Sequence, residues 1–125
     1  MSKESLYLKK VKVIMGKYEA LSTEDEAECL ECAYALYRCC EYLMQHSISC
    51  KNREVPTSGN LQELFSTCLH LSVKLPTAIT SNLKTYMELC EARYGKHTIP
   101  GEELHQMFGD INDWYNYLLD ADNKD

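Results

Sequence analysis

A chain of 125 residues has the usual size of one domain and can bury one core rather than two. Its 45% hydrophobic and 26% charged residues are ordinary for a soluble globular protein, and no stretch approaches the roughly 20 consecutive apolar residues of a membrane span. The net charge of −6 disfavours broad, non-specific binding to nucleic acid or to an anionic membrane surface.

The N-terminus, MSKESLYLKKVKV, carries charge but neither a long apolar core nor a small-residue cleavage site, so a cytoplasmic location is expected. A first helix is predicted over roughly residues 3–19, where Tyr7, Val11, Ile14 and Tyr18 recur at helical spacing. Lys9, Lys10, Lys12 and Lys17 crowd this helix and read as a solvated face. Thr23 with Glu26 fits a capping box, opening a second helix over roughly residues 23–48 with acidic residues at its positive end. That helix is apolar over most of its circumference, through Leu30, Ala33, Tyr34, Leu36, Tyr37, Cys39, Cys40, Leu43 and Met44, so it is expected at the centre of the fold. Arg38, a cation on this apolar helix, must reach solvent or a partner, and the nearest helical candidates are Glu41 at i+3 and Glu31 two turns earlier.

The segment SCKNREVPTSGN is the main break, and Asn60 with Glu63 offers the next capping box. Leu61, Leu64, Phe65, Cys68 and Leu71 give the third helix its buried side, and Pro76 ends or interrupts it. His70, among Leu69, Leu71 and Val73, reads as a histidine at the edge of the core. A fourth helix is expected from about Thr77 or Thr80 to Tyr94, stopped by Gly95, and a fifth over roughly residues 101–121 after Pro100. The last carries an almost unbroken stripe of Leu104, Met107, Phe108, Ile111, Trp114, Tyr115, Leu118 and Leu119. Strand signals are absent. The expected fold is all-α: an antiparallel helical bundle of about five helices, a four-helix up-and-down core plus one more, in a single domain over residues 1–125.

Seven cysteines, an odd number without an export signal, argue against a disulfide framework, and Cys29, Cys32, Cys39, Cys40, Cys68 and Cys90 fall inside helical patterns and read as reduced core thiols. Cys29 and Cys32 form a CxxC inside a helix, with no second pair at zinc-finger distance, so no metal site and no cofactor are expected. His46, near the end of the second helix, suits a helix C-terminus. No metalloprotease, nucleophile-elbow, Walker or dinucleotide motif occurs. The densest cluster of functional chemistry is Arg93, Tyr94, Lys96 and His97 at one helix end. An arginine there can hold a phosphate by two parallel hydrogen bonds, a tyrosine can stack, and a histidine can move a proton. The competing reading is that Tyr94 packs and the cations suit the helix terminus.

The run from Tyr34 to Leu43 resembles the early central helix of HEPN domains. The helix from Leu83 to Tyr94 resembles the family's helix ending in an arginine–tyrosine pair. Ser58 to Leu64 lies where many members begin a histidine-containing helix, and Glu102 to Ala121 corresponds to their closing helix. The similarity covers roughly residues 23–121. It implies a helical bundle that dimerises and that accompanies a small nucleotidyltransferase, as its partner or as half of a toxin–antitoxin pair. Other family members are metal-independent ribonucleases with an arginine and a histidine separated by roughly four to six residues. Here three residues separate Arg93 from His97 and seven separate Arg38 from His46, which departs from that pattern.

The leading expectation is therefore a non-catalytic HEPN-like binding module for a partner protein and a nucleotide, with Arg93, Tyr94, His97 and Arg38 as candidate nucleotide- or phosphate-contacting residues. Two alternatives are a ribonuclease toxin acting on RNA through Arg93 and His97, and a purely structural interaction bundle. Nine tyrosines and one tryptophan exceed what a small core readily hides, so a homodimer is expected.

Overall fold

The computed structural model describes residues 5–18, 26–51, 54–55, 60–90 and 101–123. Within them six helices follow one another: α1 (Leu6–Lys17), α2 (Glu26–Ser49), α3 (Leu61–His70), α4 (Thr77–Thr80), α5 (Leu83–Leu89) and α6 (Gly101–Asn123). No strand occurs among the described residues, and the fold is an all-α bundle. No helix among them is long and apolar enough to cross a membrane.

The core is organised around α2, against which α1, α3, α5 and α6 all pack. Cys32, Ala33, Leu36, Cys39, Cys40, Leu43, Met44 and Ile48 are each at most 3% exposed, so the helix is covered on several sides at once. Small side chains at Ala33 and the thiols leave room for neighbouring helices to approach, while each buried Leu or Met contributes about 1.5–3 kcal/mol of burial. The expected central role of this helix is observed. Its Thr23–Glu26 capping box lies outside the described residues.

α1 begins at Ser5, whose Oγ accepts the Leu8 backbone N–H at 3.2 Å. Its fully buried stripe is Leu8, Val11 and Met15, whereas Tyr7, Ile14 and Tyr18 are half-buried. The buried face is thus rotated from the expected one. Tyrosines prefer the border, where the ring packs and the hydroxyl stays polar, and the Tyr18 hydroxyl reaches Glu31 of α2 at 3.4 Å. Lys9, Lys10, Lys12 and Lys17 are all exposed.

Asn60 caps α3 as expected, its Oδ1 accepting the Glu63 N–H at 2.9 Å. The helix stops well before Pro76. Ser72 turns into the left-handed region at φ 59°, and the Val73 N–H returns to the Cys68 carbonyl at 2.8 Å while the Ser72 N–H reaches that of Leu69 at 3.1 Å. This pair of bonds is a Schellman stop, built on serine instead of the usual glycine. Leu61, Leu64 and Cys68 are buried, Phe65 and Leu71 are half-buried, and His70 is exposed rather than at the core edge.

The fourth predicted helix is interrupted into α4 and α5. Ser81 Oγ donates back to the Thr77 carbonyl at 2.5 Å and Asn82 Nδ2 to the Ala78 carbonyl at 2.9 Å, and Asn82 leaves helical geometry at φ −113°, ψ 16°. Short polar side chains that bond nearby carbonyls compete with the helical ladder, and two in succession break it here. Beyond the break Tyr86 is fully buried and its hydroxyl donates to the Met107 carbonyl at 3.4 Å, tying α5 to α6. α6 closes the bundle with Leu104, Met107, Ile111, Trp114 and Tyr115 buried, against α1, α2 and α4.

Candidate functional site

Of the residues the sequence singled out, Arg93, Tyr94 and His97 lie outside the described residues. Arg38 is described, and its guanidinium is already engaged. Nη1 forms an ion pair with Glu41 Oε1, Nη2 donates to the Tyr42 hydroxyl at 2.7 Å, and the guanidinium carbon lies 4.8 Å from the centre of the Tyr42 ring. Lys10 of α1 places its ammonium 5.2 Å from the centre of the same ring, so two cations share one aromatic platform between α1 and α2. Burial disfavours the charge on Arg38, but the Tyr42 hydroxyl and the Glu41 carboxylate outweigh it and hold its pKa above the ordinary value. Burial likewise raises Glu41, with Arg38 pulling the other way. An anion arriving at Arg38 would compete with Glu41 for the guanidinium fork. Of the two expected partners, Glu41 is the one that pairs with Arg38, while Glu31 accepts from Tyr18.

The chain makes a concave surface elsewhere. Asp110, Asp113, Trp114 and Tyr117 stand at i, i+3, i+4 and i+7 on α6, which puts them on one face. Opposite them run Lys74, Leu75, Pro76 and Ala78, and the two sides enclose a cleft of about 360 Å³. The Ser72 turn redirects the chain after α3, and Pro76 at φ −61°, ψ 142° keeps it extended until α4 starts against α6. Trp114 supplies the floor at 2% exposure, and Tyr117 stands at the mouth at 59%. The walls are mainly apolar. Their charged groups are the carboxylates of Asp110 and Asp113 and the ammonium of Lys74. Asp110 Oδ1 also accepts from Gln106 Nε2 at 3.3 Å.

A concave apolar surface with a few charged groups at its rim suits an apolar anchor carrying a neighbouring cation, because the two carboxylates outnumber the single ammonium. The same carboxylates repel a phosphate. Sequence reasoning assigned Trp114 to the core stripe and overlooked this cleft. The signal was present in the spacing Asp-x-x-Asp-Trp-x-x-Tyr, but the opposing wall comes from a segment read only as a helix interruption. A second hollow of about 430 Å³ lies between α1 and α6 over Met15, Phe108 and Tyr115, with Lys12 at its edge.

Cys29 and Cys32 both sit in α2, half-buried and buried respectively, and no group of three His, Cys, Asp or Glu among the described residues is arranged to hold a metal ion. Comparison with protein-family models, with curated proteins and with solved structures finds no match to the chain. Function is therefore argued from the chain's own residues.

Proposed function

We propose that the protein is a HEPN-like binding module that docks a partner protein, such as a small nucleotidyltransferase, through the cleft between α6 and residues 74–78. The observation that carries this reading is the cleft itself: an aromatic and aliphatic hollow of about 360 Å³ edged by Asp110 and Asp113. Its occupant is a segment with a large apolar side chain flanked by lysine or arginine, since the rim is net negative. The helical bundle agrees with the family resemblance, and the atypical Arg93–His97 spacing favours binding over RNA cleavage. Nucleotide binding, the second part of the reading, rests on Arg93, Tyr94 and His97, with Arg38 available only where a phosphate displaces Glu41.

Homodimerisation belongs to the same proposal. Leu6 and Val13, seven residues apart on α1, are 65% and 73% exposed, an apolar pair that a second copy would cover. Light scattering on the purified chain tests it, and a species of only 14.4 kDa overturns it.

The docking test is co-purification of the native chain with identification of the retained proteins, repeated with Asp113→Lys and Tyr117→Ala. The expected outcome is a retained nucleotidyltransferase that both exposed-site variants lose, each by about tenfold in affinity. Absence of any nucleotidyltransferase, or retention by both variants equal to that of the native chain, removes the proposal. Titration with nucleotides addresses the second part, and a silent titration eliminates it.

A further inference from the structure

The C-terminal end of α2 carries a polar cluster that the docking cleft does not use. His46 lies in the last turn of the helix yet is only 3% exposed. Its ring is held between two side chains: Nδ1 stands 2.8 Å from Ser5 Oγ, and Nε2 stands 3.5 Å from Cys50 Sγ. Cys50 follows one turn later, and its N–H still donates to the His46 carbonyl at 3.0 Å, which keeps the two side chains on one face. Ser5 comes from a different helix. Its Oγ is the cap of α1 and already accepts the Leu8 N–H, so the start of α1 fixes the orientation of a ring at the end of α2.

The arrangement has the parts of an activated nucleophile: a thiol, a base within reach, and a third group orienting the base. Ser5 Oγ can accept Nδ1–H on its second lone pair, and in that tautomer the Nε2 lone pair faces the thiol. Passing the thiol proton to Nε2 gives an imidazolium whose two N–H groups face Ser5 Oγ and the thiolate.

We propose that Cys50 is a reactive thiol activated by His46, and that it forms mixed disulfides with low-molecular-weight disulfides. In the reaction, the Cys50 proton moves to His46 Nε2 and the thiolate attacks one sulfur of R–S–S–R. The R–S–S–R bond breaks as the Sγ–S bond forms, and the departing R–S⁻ takes up the proton from the imidazolium. The disulfide is the oxidant, and one equivalent of thiol is its reduced product.

The remaining cysteines are set up differently. Cys50 is exposed, whereas Cys32, Cys39, Cys40 and Cys68 are buried and Cys29 and Cys90 half-buried. Burial pushes the Cys32 and Cys39 thiols up to about 12 and Cys68 up to about 11, which keeps them protonated as well as covered. Cys29 and Cys90 therefore serve as internal references. The inference does not depend on the docking reading, and either can fail alone.

The test exposes the reduced full chain to oxidised glutathione and follows each cysteine by peptide mass spectrometry. One adduct is expected, at Cys50, forming about tenfold faster than at Cys29 or Cys90. His46→Asn, which retains an amide near Nδ1 but lacks the Nε2 base, is expected to slow Cys50 about tenfold and leave the reference thiols unchanged. Because His46 is buried, circular dichroism accompanies the measurement. Where that variant does not fold, Ser5→Ala decides, with Cys50 expected to slow about threefold as the ring loses its orienting partner. Adducts spread evenly over Cys29, Cys50 and Cys90 overturn the proposal. So does an unchanged Cys50 rate in folded His46→Asn or, failing that variant, in Ser5→Ala.

Discussion

Arg38 illustrates how one side chain is claimed by its neighbours before any ligand arrives. Its guanidinium pairs with Glu41, donates to Tyr42 and lies over the Tyr42 ring, all within its own helix. The Arg38 side chain is 36% exposed and that of Glu41 10%, so the pair lies between the buried and the surface cases. Arg38→Met should cost about 1–2 kcal/mol, less than the loss of a wholly buried partner. Glu41 is raised from 4.5 by burial, so its protonated form stabilises the fold below that value and the contribution is lost as pH rises through the raised one. Arg38 opposes the shift, and removing it raises Glu41 further. The cost of Arg38→Met should therefore be small below pH 4.5 and grow toward neutrality, which urea unfolding across that range would measure. The i, i+3 spacing made this pair legible in the sequence, since both residues belong to one helix. The Ser5–His46–Cys50 chain was not, because His46 lies 41 positions beyond Ser5 in the chain.

At the scale of elements, starts were easier to read than stops. Asn60 caps α3 through a local, chemically specific bond. The end of α3 has no glycine, and Ser72 takes the left-handed conformation that glycine usually supplies. A side chain there costs about 1–2 kcal/mol, which glycine avoids at some entropic cost of its own. Ser72→Gly should thus stabilise the protein by about 0.5–1 kcal/mol, read as a raised denaturant midpoint at unchanged slope. The break between α4 and α5 is also explained by local bonds, from Ser81 and Asn82 to carbonyls four residues earlier. Periodicity ran through that break because Ile79, Leu83 and Tyr86 keep helical spacing across it. The alternative to the helical ladder is not visible in an apolar pattern.

For the whole molecule, the thiol-rich core makes stability depend on alkali. Unfolded cysteines ionise near their ordinary value of 9.0, while the folded core holds Cys32 and Cys39 at about 12 and Cys68 at about 11. Groups raised on folding contribute stability in full below the unfolded value and lose it as pH rises through the folded one. Each such thiol can therefore remove up to about 1.4 kcal/mol per pH unit in the window that opens above pH 9.0. The thermal midpoint should fall steeply from pH 9 toward 11, and Cys39→Ala should make that fall shallower. An equally steep fall in the variant would count against the buried-thiol account.

The sequence by itself determined the all-α class, the central place of α2, the Asn60 cap and the need of Arg38 for an acidic partner on its own helix. Each depends on periodicity or on groups within one turn, where helical geometry alone fixes the relation. Tertiary structure decided the rotated buried face of α1, the cleft that Lys74 to Ala78 forms with α6, and the contact of Ser5 with His46. Those relations join segments far apart in the chain, and only the packing of helices on α2 brings them within reach.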